Sequence, residues 1–281
     1  MRTTVTAPAD LPPLVAGMAT GRFLAFDTST ERMSIAVCDG ARQWQHEGPG
    51  GAQSSTTLIP AVMQLMADAG LQLAQLDAIA FGRGPGSFTG LRSACSVAQG
   101  LALGAGLPVL PIGTLAALAE EARWTWLQAH AGAVLPKQLT AVLDARMDEM
   151  YVQHFTLAGS AYQPLGPCSL VRPEALPLAT PAGGGLLLAG NVFSVYAGRL
   201  PALPEGSAAL TLLPTAPAML RLAPAMLAAG QARPADQALP LYVRDKVAQT
   251  TDERMQIKAQ QAEQAAQANE ANKTASPTIT P

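Results

Sequence analysis

The stretch Phe81–Gly106, FGRGPGSFTGLRSACSVAQGLALGAG, decides how this chain is to be read. Gly82, Gly84, Pro85, Gly86 and Gly90 crowd around Ser87 and Thr89, and a helical pattern follows at once. A glycine-rich loop ahead of a helix is a common anion site. Its N–H groups point outward, and the helix N-terminus carries partial positive charge. The same residues also make a tight turn in which Ser87 or Thr89 caps the helix. No specific signature decides between the two. A Walker A loop needs a lysine that is missing here. GRGPGS places its third glycine one position too early for a dinucleotide fingerprint. Pro85 stands where a nucleophile elbow around Ser87 needs its first glycine. From spacing alone, phosphate binding and a capped turn stand side by side.

Outward from the loop, LDAIAFGRGPG reads as a strand entering it and residues 91–105 as a helix leaving it. Leu91, Ala94, Cys95, Ala98, Leu101 and Ala102 share one helical face, which is assigned to the core. Ser93, Ser96, Val97, Gly100 and Gly104 share another, and side chains this small let a second helix approach closely. Upstream, RFLAFDTST reads as a strand ending in a polar turn, and MSIAVCDG as a second, closed by Asp39-Gly40. RQWQHEG completes a meander. In SSTTLIPAVMQLMADAG, the spacing of Leu58, Val62, Leu65, Met66 and Ala69 predicts a helix. Downstream come a short strand, LPVLPIG, and the helix TLAALAEEARWTWLQAHAG.

Near residue 138 the pattern restarts. QLTAVLDARMDEMYVQHFTL predicts two strands joined by a turn, GGGLLLAGNVF a strand, TAPAMLRLAPAMLAAG a helix in spite of Pro224, and ALPLYVRDKVA an extended piece. Strand–helix alternation on this scale implies an α/β layered fold. The restart suggests two related lobes of mixed sheet with flanking helices. The expected divisions are a flexible leader over 1–21, lobes over 22–120 and 121–248, and a mobile Ala/Gln-rich tail over 249–281.

Composition narrows the function classes. With 49% hydrophobic and 14% charged residues, the body of the 281-residue chain is globular. A formal net charge of -2, without a dense Lys/Arg run, gives no field to draw in nucleic acid unaided. Cys38, Cys95 and Cys168 are far apart, and His46, His130 and His154 form no metal-ligand spacing, so no metal is expected. No apolar run is long enough to cross a bilayer and no secretory signal is evident, so the expected location is the cytoplasm. Asp27, in the strand-end turn Asp27-Thr28-Ser29-Thr30, is placed to align a metal-bound phosphate if that turn faces the glycine loop across a cleft. Asp144, Asp148 and Glu149 cluster in LDARMDEMY, where turn formation and pairing with Arg146 is the common explanation.

FLAFDTST, AFGRGPGSFTGLR, AQGLALG, DARMDEMY and LYVRDKVA occur in this order over about residues 22–248. Together they resemble the TsaB (YeaZ) family of bacterial tRNA threonylcarbamoyladenosine biosynthesis proteins. The resemblance implies the actin-like ATPase (ASKHA) fold and kinship to TsaD, of which the family is a non-catalytic relative. It implies a scaffold that pairs with a TsaD-type catalytic subunit, recruits a TsaE-type ATPase and meets tRNA through that complex. The assembly transfers threonylcarbamoyl from its adenylate to N6 of the adenosine beside the anticodon, in tRNAs reading codons that begin with A. ATP and a metal are then implied for the partner subunits and none for this chain alone.

On this reading Asp27, Thr28, Ser29, Thr30, Gly84, Gly86, Ser87, Thr89 and Gly90 keep the form of an actin-fold phosphate loop without its chemistry. Leu58, Val62 and Met66, with Ser93, Ser96, Val97, Gly100 and Gly104, are expected to meet the matching helices of the TsaD-type subunit or of a second copy. One departure is visible: many relatives carry a histidine in an EHS-like stretch where this chain has AQSSTT, with Ser54 near that place. An independent actin-like kinase or ATPase using Asp27 and the glycine loop is the competing reading. A metallopeptidase is a third, against which the missing metal histidines argue.

Overall fold

β1 (Arg22–Asp27) alternates between two interiors. Leu24 and Phe26 enter one apolar core, Phe23 and Ala25 another on the opposite face. A strand buried on both faces has to sit in mid-sheet, and β1 does. It pairs antiparallel with β2 (Arg32–Asp39), which pairs with β3 (Arg42–Pro49). On its other side it pairs parallel with β4 (Ala78–Gly84), followed by β5 (Val109–Gly113), in the order β3-β2-β1-β4-β5. α1 (Ser54–Ala69) and α2 (Phe88–Ala105) cover one face of this sheet.

The computed structural model describes residues 21–40, 42–130, 132, 134–178 and 185–244. The expectations for the leader, except Gly21, and for the Ala/Gln-rich tail lie outside the described residues. The described chain through Val243 gathers into one compact unit.

The restart near residue 138 is a second sheet of the same design. β6 (Gln138–Arg146), β7 (Glu149–Ala158) and β8 (Ala161–Pro164) form an antiparallel meander. A short β9 (Ser169–Val171) also pairs with β7. β10 (Leu186–Gly190) and β11 (Ala208–Thr211) then add parallel to β6, giving β11-β10-β6-β7-β8. A meander followed by two parallel additions thus occurs twice. Where the first sheet has the long α2, the second has only α4 (Val192–Val195).

The two remaining helices are exchanged between the sheets. α3 (Thr114–Ala129) follows β5, yet Leu115, Leu118, Ala119 and Ala122 pack on Leu139, Ala141 and Leu187 of the second sheet. α5 (Ala216–Ala228) follows β11, yet Met219, Leu220 and Ala223 pack on Phe23, Ala25, Ala36 and Ala80 of the first. α3 and α5 also touch each other through a cluster of charges. Arg221 donates to Glu120 and to Glu121 at 2.7 Å each, and Arg123 donates to Glu120 at 2.6 and 2.8 Å.

β8, β9, β11 and α4 had no counterpart in the sequence reading, because each is too short to show a period. ALPLYVRDKVA differs more plainly from expectation: its described residues join no strand. Ala238–Val243 instead runs as a strap, with Ala238 buried beneath α2 and the Leu241 N–H bonded to the Arg83 carbonyl at 2.6 Å. No helix among the described residues is long and apolar enough to cross a membrane.

Candidate functional site

The glycine loop and the DTST turn do not face each other across a cleft; they are in contact. The Ser87 N–H donates to the Ser29 carbonyl at 2.7 Å. The Thr28 hydroxyl donates to the Gly90 carbonyl at 2.7 Å. A Cβ on Gly90 would fall 1.9 Å from the Thr28 carbonyl oxygen, and one on Gly86 would fall 2.5 Å from that of Ser29. Glycine is required at both positions because another backbone occupies the space. Ser87 is the cap: its hydroxyl accepts from the Gly90 N–H at 3.4 Å, and α2 starts at Phe88 rather than at 91. Thr89 is exposed, and Thr30 bonds to Arg32 of its own turn. Gly84 ends β4.

Asp27 completes this arrangement from below. It is 1% exposed, and its Oδ1 accepts from the Ser29 N–H at 2.9 Å and the Ser29 hydroxyl at 2.6 Å. Oδ2 is buried without a partner against Gly82, where a Cβ would fall 1.8 Å away. Burial pushes the carboxyl up to about 6, against the pull of its two bonds from Ser29. Ser34, opposite Asp27 on β2, accepts from the Ala216 N–H at 2.9 Å, so the first turn of α5 closes over this side of the sheet. The Ser87 and Ser29 N–H groups, two of the donors a phosphate cradle would turn outward, are bonded within the chain.

Asp144 holds the matching position at the far end of β6, and its surroundings are more open. Its Oδ1 accepts from the Tyr196 hydroxyl at 2.7 Å and from the Arg146 N–H at 2.8 Å. Burial, then Asp144, raises the Tyr196 phenol above its ordinary range. Arg146, Met147 and Asp148 all take positive φ near 60°, a costly conformation for residues other than glycine. Arg199 braces that turn from Asp148, at 2.8 Å, and also bonds Glu174 at 2.6 Å. Among the described residues, no group of three or more His, Cys, Asp or Glu side chains is placed to hold a metal ion.

The residues expected at a partner surface divide. Leu58, Val62 and Met66 are 1%, 0% and 2% exposed, packed into the core beneath α1, so their assignment to an interface is corrected. Their spacing is that of the buried stripe itself. Ser93 and Val97 are half-buried, whereas Ser96, Gly100 and Gly104 are exposed. Nothing lies within 4 Å of a Cβ built on Gly100 or Gly104, so these two glycines do not serve close contact between α1 and α2, whereas Val97 packs against the core beneath α1. The apolar residues that do reach solvent beside it are Ile59, Met63 and Leu103, at 49%, 48% and 78%. Sequence reasoning missed them, although Ile59 and Met63 fall one place out of phase with the core stripe, which is the signal an outward apolar residue leaves. At the end of α2 a groove of about 510 Å³ continues from Leu103 to Pro108 and Pro234.

A family model for TsaD, tRNA N6-adenosine threonylcarbamoyltransferase, matches residues 45–273. The Escherichia coli tRNA threonylcarbamoyladenosine biosynthesis protein TsaB is 32% identical over 81% of this chain and 96% of its own length. The chain belongs to the TsaB family. The TsaB of Haemophilus influenzae is 41% identical over a shorter stretch, 46% of this chain and 51% of that protein. Among solved structures, YeaZ from Pseudomonas aeruginosa is 37% identical and superposes with a TM-score of 0.69 over 79% of this chain and 99% of that one. TsaB membership and the TsaD model agree with the doubled sheet topology: the fold is actin-like, with two related halves.

Proposed function

We propose that this chain is the non-catalytic scaffold subunit of the assembly that places threonylcarbamoyl on N6 of the adenosine beside the anticodon, in tRNAs reading codons that begin with A. The self-filled glycine loop carries this reading. The Ser87 N–H is bonded to the Ser29 carbonyl of the DTST turn, and Gly86 and Gly90 are pressed on carbonyl oxygens of that turn. The chain therefore binds no nucleotide or metal alone, and ATP and metal chemistry belong to its partners.

The loop's task is to fix the start of α2. The outer side of α1 and α2, with Ile59, Met63, Gly100 and Leu103, is the docking face for a TsaD-type subunit, and a second copy uses the same face in its absence. A TsaE-type ATPase and tRNA join through that complex, in the cytoplasm. The competing kinase or ATPase reading keeps one support, the unpartnered Oδ2 of Asp27.

The deciding experiment assays the purified chain alone for ATP hydrolysis and tRNA modification, then measures threonylcarbamoyladenosine in tRNA after depletion from the native host. The scaffold reading expects no turnover alone and loss of the modified nucleoside on depletion. ATP turnover that vanishes in Asp27→Ala would establish the kinase reading instead.

A further inference from the structure

Phe88, Arg92 and Tyr242 meet at the first turn of α2, brought together from positions 150 residues apart. Phe88 is 37% and Tyr242 44% exposed, and their ring centroids lie 5.2 Å apart with planes inclined by 31°. The Arg92 guanidinium carbon sits 3.9 Å from the Phe88 ring centre, and its Nε donates to the Tyr242 hydroxyl at 3.1 Å. Its two terminal amino groups form no ion pair among the described residues, and the first turn of α2 carries no acid. Arg83, whose carbonyl holds the strap beside Tyr242, also forms no ion pair among the described residues, and its Nε is buried without a partner.

We propose that this cluster receives one unpaired nucleotide of an RNA strand, its base stacked on the Phe88–Tyr242 pair and its phosphate held by the free end of Arg92. Every base has a π-face, so exposed aromatic rings and guanidinium planes accept unpaired nucleotides with little regard to sequence. A guanidinium fork matches the phosphate oxygens in pairs. Two arginines without carboxylates make the spot positive on a chain whose net charge is -2. The cluster lies about 20 Å along α2 from the apolar Leu103, at 1.5 Å per residue, so an RNA here leaves that end of the docking face free. The inference rests on the proposed tRNA role, which is what brings an RNA to this chain.

The test uses the full chain in complex with its catalytic subunit and a labelled, unmodified tRNA transcript at fixed salt. Phe88→Leu should weaken tRNA binding about tenfold, in keeping with the loss of one stacked base. Phe88→Trp should keep it. Arg92→Gln should weaken binding and lower the salt slope by about one. Ultraviolet crosslinking should leave a nucleotide adduct on Phe88 or Tyr242. Association with the catalytic subunit should be unchanged in all three variants. Wild-type affinity in Phe88→Leu overturns the proposal, and so does loss of subunit association, which would make the cluster a protein anchor. Equal weakening by Trp and Leu also overturns it. Should Phe88→Leu lower the melting temperature, the exposed Arg92→Gln decides by the same measurements. If host depletion leaves threonylcarbamoyladenosine intact, the tRNA role itself fails. If depletion removes it and the variants bind as wild type, only this inference fails.

Discussion

Arg221 of α5 bonds Glu120 of α3 at 2.7 Å, with the two side chains only 8% and 6% exposed. The same guanidinium reaches Glu121 at 2.7 Å and lies over the Trp124 ring. This pair joins the helix lent by the first sheet to the helix lent by the second. Removing one member of a buried pair strands the other charge. Arg221→Met should therefore lower unfolding free energy by about 3 kcal/mol, measured by urea titration. A loss under about 1 kcal/mol would mean that the exchanged helices hold without the charge cluster.

Two glycines of α2 should respond in opposite directions to alanine. At Gly90 the added Cβ would meet the Thr28 carbonyl oxygen at 1.9 Å, so Gly90→Ala should cost about 2 kcal/mol or more through forced backbone displacement. At Gly100 the space is open, and alanine removes glycine's conformational freedom, so Gly100→Ala should add up to about 1 kcal/mol. Thermal melts of both variants check the pair. Equal effects would show that the loop contact is not rigid.

Asp27 should make stability depend on pH. Its folded carboxyl titrates at about 6 against an ordinary 3.8, so between those values the folded chain holds a proton that the unfolded chain releases. The stabilisation is whole below pH 4, fades as pH rises to 6, and is gone above it. The swing is on the order of 3 kcal/mol. Asp27→Asn should abolish this part of the pH profile, read as the difference between the two proteins from pH 4 to 7. Parallel profiles would indicate that Asp27 is not buried in solution.

Gly100→Arg should abolish association with the catalytic subunit while the chain stays folded, because its side chain enters open space on the outer side of α2. Leu58→Arg, directed into the core, should instead unfold the protein. Size-exclusion chromatography with the partner and circular dichroism distinguish the two. Association retained by Gly100→Arg would move the docking face elsewhere.

Periodicity carried the longer elements, because β1, β2, β4, α1 and α2 each repeat buried positions often enough to show a phase. Elements of three or four residues cannot do so, hence the silence of the sequence at β9, β11 and α4. The glycine loop was legible as a capped turn or a phosphate cradle. Only the Ser87–Ser29 bond, between positions far apart in the chain, shows where the Ser87 N–H goes. The same limit applies to Phe88 and Tyr242, and to Leu58, whose helical spacing fits either a core or a partner. Family motifs located the fold, but they could not say which side of α1 faces outward.

The helix exchange fixes when the protein can finish folding during its synthesis. Phe23, Ala25, Ala36, Ala80, Leu110 and Ile112 form an apolar sheet surface in the first half of translation, but its cover is residues 216–228. Until those residues leave the ribosome, the first sheet has a bare face and the nascent chain is a client for chaperones. At about 5–20 residues per second that interval lasts on the order of ten seconds or more. A truncated message ending before Ala216 would release a chain whose first sheet lacks α5 on one face and the strap around Ala238 on the other, and the cell would handle it as an aggregation hazard.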